Sequence, residues 1–162
     1  MTQSKLLKKW LEDRGEVVVL SREPGGTDLG QGLRKILLGH ETGEISPRAE
    51  ALLYAADRAH HVYSVIRPAL AKGDVVITDR YFDSSIAYQG AGRVLSPGEV
   101  ARISRWATES LFPTLTIVID LPAEIGIGRL KNRDRLEAEP LAFHERVRQE
   151  FLQIARLDPE RY

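Results

Sequence analysis

The chain has 162 residues, of which 43% are hydrophobic and 28% charged, and its 23 basic and 23 acidic side chains cancel to a formal net charge of zero. That length favours a single domain over residues 1–162, and the balanced charge argues against a dedicated nucleic-acid binder. The absence of cysteine excludes disulfides and thiolate metal sites, and no apolar run approaches the roughly 18 residues of a membrane helix. The opening residues lack the apolar region of a secretory signal, so we expect a cytoplasmic protein with neither nucleic-acid nor membrane partners.

Short apolar runs alternate along the chain with amphipathic helical patterns. The runs, typical of strands buried on both faces, occur at residues 17–20, 75–77 and 115–121. Helical patterns cover residues 2–14, 29–38, 46–67, 124–133 and 141–157. Ser46 before Pro47 is an N-cap signal, and Ser96 with Glu99 spells a capping box that starts a further helix.

This alternation predicts an α/β fold with a parallel sheet flanked by helices and right-handed crossovers. In such sheets the ligand site lies beyond the carboxyl ends of the strands. Here those ends lead into residues 22–27 (REPGGT), into Asp79-Arg80, and into a basic segment near residue 129. We therefore expect the three segments to share one cleft.

Two of these segments carry candidate chemistry directly after a strand. Arg80 can present its planar fork to a phosphate, and Asp79 can orient a water or hold Mg²⁺ indirectly. The paired glycines of residues 22–27 let backbone approach a ligand closely. A strand-end ion pair and a plain Pro-Gly turn are the structural alternatives. The sequence contains no G-x-x-x-x-G-K-[ST] segment, the pattern that cradles ATP phosphates.

Two side-chain groups on predicted helices add to these candidates. Four cations follow the third strand, namely Arg129, Lys131, Arg133 and Arg135. They either neutralise charge on a moving phosphoryl group or form a solvated helix face. Tyr54 and Arg58 are four apart and share a helix face, so they either meet a base or are a core aromatic and a surface arginine. The adjacent His60 and His61 lack a third spaced ligand and predict no metal site.

In this order the motifs REPGGT, LLYAADR, DRYFDSSIAYQG, and DRLE with FHERVR resemble those of bacterial thymidylate kinases, over essentially residues 2–162. The resemblance implies a nucleoside-monophosphate-kinase fold of the P-loop NTPase type. It also implies phosphoryl transfer from ATP to dTMP giving dTDP, dependence on Mg²⁺, small-molecule nucleotide substrates, and a homodimer.

The resemblance also assigns roles by position. Arg80 would bind the dTMP phosphate with help from Arg34, and Asp79 would lie near Mg²⁺ and the transferred group. The other substrate positions would be Glu23 near the sugar, Tyr54 stacked on thymine, Arg58 at its edge, Ser85 and Gln89 around the base, and Tyr88 against a ribose 2′-hydroxyl. The catalytic cations beside Arg80 would be Arg129, Arg133 and Arg135, in a lid at about residues 127–137. No direct metal ligand is implied, since Glu23 and Asp79 would act through water.

The sequence departs from the family pattern in three respects. The family usually has phenylalanine at the stacking position, where this chain has Tyr54. The family begins with a strand and phosphate-binding loop and ends with a further strand and helix, so we expect a fold incomplete at both ends, with its ATP-phosphate site unassigned. The alternatives are another nucleotide or deoxynucleoside kinase of the same fold, and a non-catalytic nucleotide-binding fragment.

Overall fold

A computed structural model describes residues 2–162. Its helices are α1 (Thr2–Glu12), α2 (Asp28–Leu38), α3 (Pro47–His61), α4 (Arg67–Ala71), α5 (Phe82–Ser85), α6 (Pro97–Ala107), α7 (Ala123–Gly128) and α8 (Leu141–Leu157). Its strands are β1 (Val18–Arg22) and β2 (Val75–Asp79). Two π-helical segments, Val62–Ile66 and Ile86–Gly92, join α3 to α4 and extend α5, and a 3₁₀ turn covers His40–Thr42. Over the described residues, none of these helices has both the length and the apolar character that crossing a membrane requires.

The two strands pair in parallel, and this confirms the predicted strands at residues 17–20 and 75–77. Val18 lies opposite Val75 and Arg22 opposite Asp79. The ladder continues one residue further, because the Glu23 amide donates to the Asp79 carbonyl at 3.0 Å. The carboxyl ends of both strands therefore lie side by side, and the segments that follow them start from the same edge of the sheet.

Local capping explains where the helices around this edge begin. Thr27 ends the loop after β1, and its Oγ1 accepts from the Gly30 amide at 2.9 Å, which starts α2. Ser46 caps α3 through the Ala49 amide at 3.4 Å. The predicted start of α6 is confirmed, but the Ser96 side chain makes no cap hydrogen bond, so that part of the capping-box prediction is wrong.

The apolar core joins the helices that surround the site. One buried cluster consists of Leu37, Tyr54, Ala87, Leu136, Phe143 and Val147, and so connects α2, α3, the second π-helical segment and α8. The packing is close at Gly92, where a Cβ would lie 2.7 Å from the Phe143 ring. The helices that carry the candidate residues are therefore fixed against one another.

The third predicted strand, at residues 115–121, is wrong. The segment is not a strand, and Leu115, Ile117 and Ile119 are 64, 65 and 69% exposed. A strand requires a neighbour to complete its hydrogen-bond ladder, and within residues 2–162 the sheet contains only β1 and β2. The helix predicted at residues 124–133 is also shorter than expected, because α7 ends at Gly128.

Candidate active site

A cavity of about 130 Å³ lies beyond the carboxyl ends of the two strands. All the residues predicted to bind substrate line it, namely Glu23, Arg34, Tyr54, Arg58, Arg80, Ser85, Tyr88 and Gln89. The other lining residues were not predicted to bind substrate, although several lie in the predicted loop at residues 22–27 or in the predicted lid: Pro24, Leu38, Tyr81, Ser84, Asp134, Leu136, Glu137 and His144. The strand-end segments after β1 and β2 thus share one cleft, as the parallel topology predicts.

The guanidinium of Arg58 donates hydrogen bonds from two of its nitrogens, and the third has no partner. Its Nε donates to Glu23 Oε2 at 2.8 Å, and its Nη2 donates to Ser85 Oγ at 3.1 Å. Arg58 is 1% exposed, and its Nη1 is buried without a hydrogen-bond partner. A buried, unpaired donor carries a free-energy cost that a ligand acceptor in the cavity would remove.

The second oxygen of Glu23 is engaged by a histidine that sequence reasoning considered only as a metal ligand. His61 Nδ1 lies 3.0 Å from Glu23 Oε1, and His61 Nε2 lies 2.7 Å from Ser21 Oγ. His61 is three residues beyond Arg58, so both project from one face of α3 toward the strand ends. That spacing, together with a serine near the end of the first strand, is the pattern in the sequence that could have indicated His61 as a residue of the site.

Arg80 occupies an unusual backbone position between β2 and α5. Its φ angle is +71°, in the left-handed region that residues other than glycine rarely adopt. The Thr78 hydroxyl donates to the Arg80 carbonyl at 2.8 Å, which helps to hold this turn. The guanidinium lies 4.8 Å from the centre of the Tyr88 ring and donates to the Tyr88 hydroxyl at 3.3 Å. Strain of this kind is often concentrated at functional sites.

Several guanidinium groups crowd the same part of the cavity. Arg34 donates from Nη1 to the Pro24 carbonyl at 3.0 Å. Burial lowers the pKa of Arg34 from its ordinary value, and the positive charges of Arg22 and Arg80 lower it further. An anion bound among these groups would relieve their mutual repulsion. Arg22 begins the segment predicted to enter the cleft, but no role was predicted for it.

Tyr54 combines a place in the core with a place in the cavity wall. It is buried within the cluster that contains Ala87 and Phe143, and it lines the cavity. Burial raises the pKa of its hydroxyl well above the ordinary value, so the side chain is neutral near pH 7. It therefore offers an uncharged aromatic surface on the helix face that also carries Arg58.

A fully buried carboxylate, Glu50, fastens the cavity to the segment predicted as the lid. Its oxygens accept from Gln89 Nε2 at 3.1 Å, from Arg93 at 3.2 Å, and from Arg135 Nη2. Burial alone would raise the pKa of Glu50, but these hydrogen bonds outweigh it and hold that pKa below its ordinary value. Arg93 continues the network to Glu139 at 2.5 Å. We call these side chains the Glu50 network.

The predicted catalytic residues other than Arg80 lie outside the cavity lining. Arg129 and Arg133 are exposed, whereas Arg135 is bonded to Glu50 and to the Leu37 carbonyl, at 2.8 Å from Nε to the latter. Arg135 is therefore placed differently from the expectation of a lid cation, because a buried carboxylate holds its guanidinium. Asp79 ends β2 but does not line the cavity.

The acidic residues of the site do not fit direct coordination of a metal ion. Both carboxylate oxygens of Glu23 already lie within hydrogen-bond distance of Arg58 and His61. Among residues 2–162, no group of three or more histidine, cysteine or acidic side chains is arranged to hold a metal.

Comparisons with known proteins agree with one another. A family model described as thymidylate kinase matches residues 1–162. The thymidylate kinase of Clavibacter sepedonicus is 59% identical over 165 residues, which cover 99% of this chain and 78% of that protein. That of Cutibacterium acnes is 51% identical over 161 residues, with 99 and 79% coverage. A crystal structure of thymidylate kinase from Ehrlichia chaffeensis superposes with a TM-score of 0.82 at 31% identity and covers 99% of this chain and 81% of that one.

Proposed function

Because the chain belongs to the thymidylate kinase family, whose reaction is phosphoryl transfer from ATP to dTMP giving dTDP, we propose that its cavity is the dTMP site. The observation that carries this proposal is the buried and unpaired Arg58 Nη1, in a cavity wall that also contains Arg80 and Tyr54. A hydrogen-bond donor, a phosphate-binding fork and an aromatic surface are the groups that a pyrimidine nucleotide requires.

The base edge is the part of the ligand that these contacts would read. The amide nitrogen of Gln89 donates a hydrogen bond to Glu50. The carbonyl oxygen of Gln89 is then the group that can accept a hydrogen bond from a ligand. Arg58 Nη1 then donates to the thymine O4 while Gln89 accepts from N3–H. Cytosine presents the opposite pattern at these two positions, a donor at N4 and an acceptor at N3, so the same groups disfavour it. Tyr54 stacks on the ring and Ser85 completes the wall.

The phosphate would bind between Arg80 and Arg34, which both line the cavity. Arg80 offers two parallel N–H donors, and the pKa of Arg34 is lowered first by burial and then by the neighbouring positive charges, which a bound anion would offset. Tyr88 stands under the Arg80 guanidinium, where its ring would crowd a ribose 2′-hydroxyl and favour deoxyribose.

The donor side of the reaction involves parts of the chain outside the cavity. ATP is the family's phosphate donor, and we propose that Arg129 and Arg133, in the exposed first half of the segment at about residues 127–137, contact its phosphates as a lid. We further propose that Mg²⁺ arrives with the phosphates and meets Asp79 or Glu23 through water, as a magnesium ion bound chiefly by substrate oxygens does. A location in the cytoplasm stays a prediction.

A substrate panel tests the dTMP proposal. We expect kcat/KM for dTMP to exceed that for dCMP and dGMP by at least about 100-fold, because a mismatched base leaves Arg58 and Gln89 unpaired. Loss of only the methyl group, in dUMP, should cost roughly tenfold. Thymidine is the matched ligand without phosphate and should bind far more weakly than dTMP.

The same panel separates the two rival functions. Tighter binding of thymidine or of a purine nucleotide would indicate a different kinase of this fold. Binding of dTMP without ATP-dependent formation of dTDP would indicate a non-catalytic nucleotide-binding chain. Coupled-enzyme assay of ADP release, with direct detection of dTDP, distinguishes these outcomes.

We propose that the protein is a homodimer joined through an apolar groove between α3 and α6. The groove has a volume of about 420 Å³, and Leu52, Ile103 and Trp106 line it. Trp106 is 82% exposed, and charges of both signs, Arg48 and Glu99, flank the groove. A second copy related by a two-fold axis would present the same patch, so apolar and charged groups can meet their complements.

Replacement of Trp106 by glutamate tests this interface. We expect Trp106→Glu to shift the sedimentation profile from dimer to monomer, because each interface would bury two unpaired charges. Tyr63→Glu changes an aromatic side chain of similar exposure outside the groove and should leave the profile unchanged. A monomeric unsubstituted protein, or a Trp106→Glu variant that remains dimeric, would contradict the proposal.

A further inference from the structure

We propose that His61 is a positioning residue for base recognition: it orients Glu23, and through Glu23 the guanidinium of Arg58. The inference rests on the proposal that the cavity binds dTMP. His61 does not line that cavity, so it acts through other side chains rather than on the ligand.

The contacts form a continuous chain from the sheet to the base pocket. Ser21 Oγ lies 2.7 Å from His61 Nε2, and His61 Nδ1 lies 3.0 Å from Glu23 Oε1. The other oxygen of Glu23 accepts from Arg58 Nε at 2.8 Å. Each carboxylate oxygen of Glu23 therefore has its own partner, so the plane of the carboxylate is fixed by His61 on one side and by Arg58 on the other.

The hydrogen-bond inventory fixes the role of one nitrogen of the histidine. A carboxylate paired with an arginine is an acceptor, so the Nδ1 of His61 must donate to Glu23. The Nε2 then accepts a hydrogen bond from the Ser21 hydroxyl where it carries no proton, or donates one to Ser21 Oγ where it does. Either arrangement gives the polar side-chain atoms of Ser21, His61 and Glu23 a hydrogen-bond partner.

The surroundings prevent the ring from adopting another orientation. His61 and Glu23 are 0 and 3% exposed. The backbone of Gly26 covers the contact, since a Cβ there would lie 2.6 Å from Ser21 Oγ and 2.7 Å from His61 Nε2. A substitution at position 61 that removes the hydrogen bond should therefore change the orientation of the Glu23 carboxylate. The packed loop leaves no room for the new side chain to rotate and restore the contact.

Two amide substitutions separate the contributions of the two ring nitrogens of His61. In His61→Asn the amide reaches the position of Nδ1 and can still donate to Glu23, whereas in His61→Gln it reaches the position of Nε2 and meets Ser21 instead. We expect the Asn variant to bind dTMP within about threefold of the unsubstituted protein. The Gln variant should bind at least about tenfold more weakly, because a hydrogen bond to a charged group is lost.

Selectivity provides a readout that loss of packing alone would not change. In His61→Gln the dTMP-to-dCMP ratio of kcat/KM should fall, since a misdirected Arg58 no longer favours the thymine edge, while KM for ATP should be unchanged. Isothermal titration with dTMP and a thermal melt of each variant complete the measurement. Equal weakening in both variants, or no weakening in either, would overturn the proposal.

A measurement on the unsubstituted protein covers the case in which the Gln variant does not fold. Long-range ¹H–¹⁵N NMR spectra report which ring nitrogens of a histidine carry a proton, and we expect Nδ1 of His61 to carry one. A ring with its only proton on Nε2 would contradict the chain of contacts, because Nδ1 could not then donate to Glu23. Failure of the unsubstituted protein to bind dTMP would instead count against the dTMP site, and the tautomer would still report on the network.

Discussion

Arg80→Ala is expected to lower kcat/KM for dTMP by roughly 100- to 1,000-fold, the largest effect of any single substitution in the cavity. The left-handed backbone and the stack against Tyr88 hold this guanidinium in the wall of the cavity that Arg34 also lines. Alanine removes the two parallel donors proposed to hold the phosphate. Arg80→Lys keeps the charge but not the fork, so it should recover only part of the activity. Steady-state kinetics with dTMP varied at saturating ATP measure both variants.

The matched control for Arg80 is Arg156→Ala, which removes an exposed arginine near the end of α8. Its kinetics should equal those of the unsubstituted protein. Thermal unfolding of Arg80→Ala should show little change, since the side chain is exposed and its hydrogen bond to the Tyr88 hydroxyl is long, at 3.3 Å. An Arg80→Ala enzyme with unchanged kcat/KM for dTMP would remove this residue from the site.

Glu50→Gln is expected to lower the free energy of unfolding by about 3 kcal/mol. Glu50 is fully buried, and its carboxylate neutralises the guanidinium groups of Arg93 and Arg135. The amide has the same shape but no charge, so Arg135 would lose its buried counter-charge and Arg93 would keep only Glu139. Urea unfolding followed by circular dichroism measures the difference. Glu44→Gln makes the same chemical change at an exposed position and should alter stability by less than about 0.5 kcal/mol.

The difference in free energy of unfolding between the unsubstituted protein and Glu50→Gln should depend on pH, in the direction set by the pKa shift of Glu50. The pKa of Glu50 is lowered by folding, so its ionised form stabilises the native state. That contribution is complete above the ordinary value of 4.5 and is lost as the pH falls through the lower pKa of the folded state. The gap between the unsubstituted protein and Glu50→Gln should therefore narrow in acid. A gap that stays constant with pH would show that the charge of Glu50 is not what stabilises the fold.

Part of the cavity could be predicted from local rules, whereas Arg34, Ser85, Tyr88 and Gln89 were predicted only from the family resemblance. Two parallel strands bring their carboxyl ends to one edge, and the four-residue spacing of Tyr54 and Arg58 puts them on one helix face. The third strand could not be predicted in the same way. The apolar pattern at residues 115–121 is that of a strand, but pairing depends on a neighbour that the pattern itself does not specify.

The roles of single charged residues were harder to predict, because they depend on partners distant in sequence. Arg135 belongs by composition to a basic run, yet it contacts Glu50, which is 85 residues away. The adjacent His60 and His61 were considered only as metal ligands, and no other role was predicted for them. In the structure the partners of His61 are Ser21, near the end of β1, and Glu23, in the loop that follows. Pairings of this kind are decided by burial, since a buried charge must find a counter-charge or a hydrogen bond.

The sharing of one carboxylate between Gln89 and Arg135 has a thermodynamic consequence. Gln89 belongs to the cavity wall, whereas Arg135 belongs to the segment proposed to carry the lid. Any ligand that drew Arg135 away would leave Glu50 with one cation fewer and so strengthen its hold on the Gln89 amide. By reciprocity, a base that fixes Gln89 alters the free energy of withdrawing Arg135 by the same amount. If the cavity is the dTMP site as proposed, its occupancy and displacement of the neighbouring segment would be linked through this single buried side chain.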